Sequence, residues 1–255
     1  MAAIFDSHAH YNDEAFAQDR DALLSSLPAK GVCGVINCAT DLATCAETLA
    51  LAERYPFLYA ACGVHPHEAA AQPEDWLAQV RAFCAHAKCV AVGEIGLDYY
   101  YDFAPRDVQQ AVFAAQLELA NELALPVIVH DRESHEDTLR LLRQYRPQGV
   151  VHCFSGSSEM AKECVALGLY IGLGGATTFK NARKPLEVAA AVPADRLLIE
   201  TDCPYMAPVP LRGKRNDSTL IPYAAQAIAD ARGETPEAIL AQTRANANRL
   251  FGLEL

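Results

Sequence analysis

Short apolar runs closed by turn residues recur at regular intervals along this chain. In order they are AIF, GVCGVINCA, LYAACGVHP, CVAVGEIGLD, LPVIVHD, GVVHCFSG, LYIGLGG and LLIETD, which makes eight strand candidates. Between several of them the apolar spacing becomes helical. Glu74 to Ala85 sets Trp76, Leu77, Val80, Phe83 and Cys84 at helical intervals; Val108 to Leu123 and Asp137 to Tyr145 behave alike. Pro73 is placed to open a helix at PEDWL, and Gly168 to close the one before LYIGLGG. Helices around Tyr223–Arg232 and Pro236–Leu250 complete the series. Strands that are apolar almost throughout and alternate with helices predict a parallel sheet covered on its outside. The pattern predicts an α/β fold, a closed (β/α)8 TIM barrel forming one domain over residues 1–255. An open doubly wound sheet is the alternative. Against it, no G-x-G-x-x-G follows a strand, and polar residues end many strands instead of marking one switch point.

Composition narrows the class. With 51% hydrophobic and 21% charged residues among 255, the chain resembles an ordinary globular protein with a sizeable core. No apolar stretch is long enough to span a bilayer, and no basic segment leads into an apolar run at the N-terminus, so the expected location is cytoplasmic. The nine cysteines include no C-x-x-C pair, and Cys38, Cys62 and Cys89 lie inside apolar runs. They read as reduced, buried, small hydrophobes. Cys153 and Cys203 each follow a candidate metal ligand, and an extended backbone would turn both away from the site. The net charge of −11 argues against a broad non-specific grip on nucleic acid.

Chemistry gathers at the strand ends. The first run leads into IFDSHAH, where an extended backbone would put Asp6, His8 and His10 on one face. His65 and His67 end the third strand, Glu94 the fourth, His130 the fifth and His152 the sixth; Glu200 and Asp202 end the eighth. In a parallel barrel these ends share one rim, where active sites of the fold lie. A single histidine after a strand is most often an ordinary hydrogen-bonded residue. Coincidence at five strand ends is not ordinary. Four imidazoles and two carboxylates suit one or two borderline divalent cations such as zinc or manganese.

The segments FDSHAH, GVHPH, GEIGLDYY, VIVHDRE, HCFSG, ETDCPY and RGKRN, spread from Asp6 to Asn216, resemble the motifs of the TatD family of metal-dependent deoxyribonucleases, within the amidohydrolase superfamily. The resemblance implies a (β/α)8 barrel with two divalent cations (zinc, manganese or magnesium) and phosphodiesterase activity on DNA, often exonucleolytic. By position it implies that His8, His10 and Asp202 hold one metal and that Glu94 bridges to a second, which His130 and His152 complete. Where many superfamily relatives use a carboxylated lysine as the bridge, this chain already has an acid. His65 resembles the position that contacts the scissile phosphate. Asp202 is suited to orient the attacking water and take its proton. Glu200 is expected to support a ligand histidine from behind. His67 reads as structural, and His86 and His135 as solvated surface.

An acidic nuclease needs local positive charge. Arg212, Lys214 and Arg215, around Gly213 in VPLRGKRN, are expected to contact phosphate; Lys180, Arg183 and Lys184 read equally well as a solvated face. Tyr99, Tyr100, Tyr101 and Phe103 are placed to supply stacking platforms for unpaired bases, although part of that run belongs to the core. The expected substrate is a DNA end or a short single strand, bound by a monomer with a small footprint. After RGKRN the family commonly continues with an acid, a proline and a small apolar run, whereas this chain reads DSTLIPY. Two other functions fit the same residues: hydrolysis of another ester or amide, such as an aminoacyl-tRNA ester, and a metal-binding interaction module without catalysis.

Overall fold

The computed structural model describes residues 3–255. Its strands are β1 (Ile4–Ala9), β2 (Val32–Cys38), β3 (Leu58–Cys62), β4 (Cys89–Asp98), β5 (Val127–Arg132), β6 (Gly149–Val151), β7 (Tyr170–Leu173) and β8 (Leu197–Ile199). They pair in parallel in chain order, as the eight apolar runs predict. The ring closes just beyond β8. There the Asp202 N–H donates to the His8 carbonyl (2.9 Å) and the His10 N–H to the Cys203 carbonyl (2.8 Å). This is a TIM barrel, not an open sheet.

Helices α1 (Arg20–Ser26), α2 (Leu42–Arg54), α3 (Trp76–Cys84), α4 (Arg106–Leu123), α5 (His135–Tyr145), α6 (Ser158–Ala166), α7 (Arg183–Ala191), α8 (Ile221–Arg232) and α9 (Pro236–Phe251) cover the strands. The start of α2 is written in a capping box. The Asp41 carboxylate accepts the Thr44 N–H (2.7 Å), and the Thr44 hydroxyl oxygen accepts the Asp41 N–H (2.8 Å). Gly168 stands just past α6 at φ 96°, as expected of a helix stop. Pro73 does not open α3; its carbonyl accepts the Trp76 N–H in the turn that precedes the helix. None of these helices is long and apolar enough to cross a membrane.

Inside the ring the core is apolar at one end. Phe5, Ile36, Ile128 and Leu198 meet there, and Leu250 and Phe251 of α9 pack against them as a floor. The other end is polar. Strand register is irregular at several points, and two of the irregularities lie beside the polar residues, on β4 and β1. On β4, Val92 faces Val127 and Ile95 faces Val129, so three steps on one strand answer two on the other. Such a bulge re-aims the residues within it. Glu94 therefore lies in mid-strand, four residues before β4 ends at Asp98, not at the strand end that its motif suggests.

The same irregularity on β1, between Asp6 and Ala9, corrects the expectation of a shared face. Asp6 leaves the two histidines. Its carboxylate accepts the Thr201 N–H (2.9 Å), the Thr201 hydroxyl (2.6 Å) and the Ser218 hydroxyl (2.6 Å).

Beyond the β4 bulge the neighbouring strand approaches so closely that only glycine fits. Gly96 has φ +146°, and a Cβ there would stand 1.9 Å from the His130 carbonyl oxygen. Gly96→Ala is expected to cost about 3 kcal/mol of stability by urea unfolding, through strain and the clash together. It should also weaken metal binding, because His130 must move. An alanine variant with parent stability and metal affinity would contradict this account of the strand contact.

Candidate metal centre

Glu94 is 3% exposed and sits among five imidazoles, of which His65 is the farthest at 3.5 Å. Its two oxygens divide them. Oε2 lies 3.2 Å from His8 Nε2 and 3.4 Å from His10 Nε2, while Oε1 lies 2.7 Å from His152 Nε2 and 2.9 Å from His130 Nδ1. Asp202 closes the first side, with Oδ1 3.7 Å from His8 Nε2 and 3.5 Å from His10 Nε2. The six side chains expected as ligands, scattered over nearly two hundred residues of sequence, thus meet at one mouth of the barrel. With His65 as a seventh side chain, the donor atoms form compact groups: His8, His10 and Glu94; His8, His152 and Asp202; and His65, Glu94 and His130.

The hydrogen-bond pattern tests whether a cation fits. His10 Nδ1 lies 2.9 Å from the Cys38 carbonyl, which only accepts, so Nδ1 carries a proton and Nε2 faces the cluster. His8 Nε2 stands 3.0 Å from His10 Nε2. Two nitrogens bound to one ion at about 2.1 Å, at roughly 90–110°, would be about 3.0–3.4 Å apart. His152 Nδ1 is buried without a hydrogen-bond partner, the nearest carboxylate oxygen being that of Glu200 at 3.6 Å. The donor set fits divalent cations.

Protons stand in for that charge in the metal-free protein. Burial works to lower the His10 pKa, but hydrogen bonds to Asp202 and Glu94 outweigh it and raise the value to about 10. Burial likewise opposes charge on His152, yet Glu94 and Glu200 push its pKa well above the ordinary value. For His8, burial and the neighbouring His152 win, and its pKa is lowered. Glu94 is buried too, but the surrounding imidazoles hold its pKa well below the usual carboxylate range.

His65 differs from the others. Its Nδ1 accepts the His67 N–H (3.2 Å), so in the neutral ring Nε2 bears the proton, 3.5 Å from Glu94 Oε1. Burial pushes its pKa down to about 4. At neutral pH it is an uncharged hydrogen-bond donor aimed into the mouth, suited to an anionic oxygen more than to a cation.

Asp98 was not anticipated from the motifs, and it organises this side. Its Oδ2 lies 3.1 Å from His130 Nε2 and 2.9 Å from His67 Nε2. His67 therefore faces the site through this acid. Counting by twos from Glu94 through Gly96 reaches Asp98, a signal available in GEIGLD.

Glu200 lies behind His152, where its carboxylate also accepts the Cys153 N–H. Gly172 makes room for it, since a Cβ there would stand 2.4 Å from Glu200 Oε2. Cys153 has φ 42°, so its backbone is not extended as the alternation argument assumes, and burial pushes its thiol pKa up. Cys203 does turn away, into the buried region of Asp6 and Tyr11. All nine cysteines are free thiols.

The outer residues separate. Arg215 is engaged with Asp19 through two N–H donors (2.7 and 2.6 Å) and with the Ala15 carbonyl (2.8 Å). Arg212 stacks over Phe179, 3.7 Å from the ring centre, and Lys214 is exposed. Arg183 pairs with Glu187, whereas Lys184 lines a surface cleft with His135 and Arg143. Lys180 is exposed. His86 and His135 are only partly solvated, bonded to Glu53 (3.1 Å) and Asp131 (2.6 Å) respectively.

Comparisons with known proteins agree with this geometry. Residues 5–252 match the model of the TatD related DNase family. The uncharacterized metal-dependent hydrolase YabD of Bacillus subtilis is 43% identical over 97% of this chain and 98% of its own. The 3'-5' ssDNA/RNA exonuclease TatD of Cronobacter sakazakii is 38% identical over 97% of each. The crystal structure of YJJV, a TatD homolog from Escherichia coli K12, superposes with a TM-score of 0.92 at 36% identity, covering 98% of both chains.

Because His10 keeps its second proton up to about pH 10, a cation at its Nε2 must expel that proton at any lower pH. Zinc titrated into metal-free protein at pH 7.5 should release about one proton or more per chain, read as a buffer-dependent binding enthalpy. Affinity should rise with pH over the same range. In the metal-free protein the stabilisation by this raised pKa is complete below about 6.5 and lost as pH climbs through 10. Zinc binding without proton release would contradict the assignment.

Proposed function

We propose that this chain, which belongs to the TatD family of metal-dependent hydrolases, is a two-cation phosphodiesterase that removes nucleotides from unpaired ends of DNA. One observation carries the reading: one oxygen of Glu94 faces His8 and His10 and the other His130 and His152, with His65 farther off at 3.5 Å, as a carboxylate shared between two cations would. Relatives named as 3'-5' exonucleases of single-stranded DNA and RNA support the nucleic-acid substrate and that polarity.

His8, His10 and Asp202 would hold one cation, His130 and His152 the other, with Glu94 between. Bound there, two divalent cations would acidify a water and offset negative charge on the phosphate oxygens. The remaining work belongs to the protein. Asp202 is kept ionised, because His10 and the neighbouring imidazoles overcome the effect of burial on its pKa, and its free oxygen can orient a water and accept a proton. His65 donates its Nε2–H to a phosphate oxygen. Glu200 holds the His152 ring from behind, and the Cys38 carbonyl fixes the tautomer of His10. Arg212 and Lys214 receive the incoming phosphates. Arg215 anchors that loop to the segment before α1 through Asp19.

End-labelled single- and double-stranded oligonucleotides, given to metal-stripped protein with magnesium, manganese or zinc in turn, test the reading directly. Cleavage should need the metal, release terminal nucleotides and favour the single strand. Asp202→Asn is expected to lower kcat by about a hundredfold to ten-thousandfold. Parent turnover by pure Asp202→Asn protein would refute the assignment. The paired change Arg212→Ala and Lys214→Ala should raise KM for oligonucleotides several-fold and leave a small neutral ester unaffected. Efficient ester cleavage with no action on any oligonucleotide would instead make the protein a different hydrolase on the same scaffold.

A further inference from the structure

The stretch LDYYYDF follows the metal-centre strand directly, and the structure divides its aromatic residues. Tyr99 packs against the core, with its hydroxyl donating to Asp137 (2.9 Å). Tyr101 and Phe103 stand out from the rim, 47% and 67% exposed. Their rings stack on each other at 5.3 Å with planes 28° apart. Both meet the His67 ring edge to face, at 5.3 and 4.8 Å, and His67 lies 4.3 Å from His65. An apolar surface thus begins one ring away from the donor assigned to the phosphate.

This surface is held in place. Asp98 Oδ1 accepts the N–H groups of Tyr100 and Tyr101 (3.0 and 2.9 Å), while Oδ2 takes the His130 and His67 rings. One carboxylate therefore fixes both a metal-side histidine and the aromatic loop. The Arg132 guanidinium lies over Tyr100 and Tyr101, 4.2 and 4.7 Å from their centres. Stacking leaves its N–H edges free for an anion.

Resting on the phosphodiesterase reading, we propose that Tyr101 and Phe103 form a stacking platform for the nucleobase flanking the scissile phosphate, with Arg132 receiving the adjoining phosphate. Flat exposed rings beside a cation suit the π-face of any base, without choice of sequence. A base inside a duplex offers no free face, so reaching the platform would require unpairing it. The preference for unpaired ends then resides in these residues and not in the cations.

The test uses metal-free protein and single-stranded oligonucleotides carrying 2-aminopurine at either of the two terminal positions. Wild type should quench the fluorescence at one position. The double variant Tyr101→Ala, Phe103→Ala should lose the quenching and bind roughly tenfold to a hundredfold more weakly. An abasic residue at that position should weaken wild type as much as the variant, and weaken the variant no further. Phe103→Trp should restore quenching, which a merely structural role would not predict. In metal-loaded protein the double variant should raise KM for oligonucleotides more than it lowers kcat, and should affect hydrolysis of the small diester methyl p-nitrophenyl phosphate less than that of oligonucleotides. If the variant discriminates base-bearing from abasic strands as wild type does, the platform is refuted. If loaded wild type hydrolyses neither oligonucleotide nor diester, the phosphodiesterase reading falls, and quenching decides the platform separately.

Discussion

The architecture of the mouth follows from one buried carboxylate. Removing a carboxylate from water costs several kcal/mol even after the protein relaxes, unless opposite charge comes with it. Glu94 is almost wholly buried and meets that cost with imidazoles on both sides of its plane. The dependence is mutual, because His8 is itself fully buried and stacks flat on His152 at 3.8 Å, an arrangement that two positively charged rings would resist. Such an arrangement needs at least one of the two rings to stay neutral, as the lowered pKa of His8 provides. Phe5, Ile36, Ile128 and Leu198 seal the far end, so the cluster lies against apolar side chains, where electrostatic attraction is stronger than in water.

Closing the ring and placing the ligands are a single event. The seam bonds use the His8 carbonyl and the Asp202 N–H, so the first metal pair and the last ligand are aligned by the bonds that close the barrel. Asp202 has φ 56°, a conformation that costs a non-glycine residue free energy unless its surroundings fix it. They do. Asp6 grips Thr201 through backbone and hydroxyl, and Asn216 donates to the Thr201 carbonyl (2.9 Å). The first acid of the opening motif thus belongs to the seam. Burial, outweighing those hydrogen bonds, raises its pKa to about 7.

Much of the fold was legible because continuous apolar runs have only one way to be buried on both faces. The candidate ligands His8, His10, His130 and His152 were legible because each stands at or just past an apolar run. What escaped shares a cause. Side-chain alternation assumes an unbroken strand, and the bulges on β1 and β4 break it where the chemistry lies. Alternation groups Asp6 with the histidines, and the register shift on β1 takes it away from them. Arg215 illustrates a second limit. Its partner Asp19 is 196 residues distant, and nothing local in RGKRN separates an anchoring arginine from two exposed cations.

The overall charge of −11 is compatible with the proposed polyanionic substrate. At physiological ionic strength charges are screened beyond about 8 Å, so acids on the outer helices barely reach a phosphate at the mouth. Several of those acids already have partners: Asp21 with Arg54, Glu122 with Arg81, and Glu163 with Arg143. Within the screening distance the balance differs, since Arg132 and Arg212 lie stacked on rim aromatics and two cations would add four charges. On the proposed reading, attraction confined to so small a region would hold a few nucleotides at a strand end, and the acidic exterior would limit the footprint without opposing the chemistry.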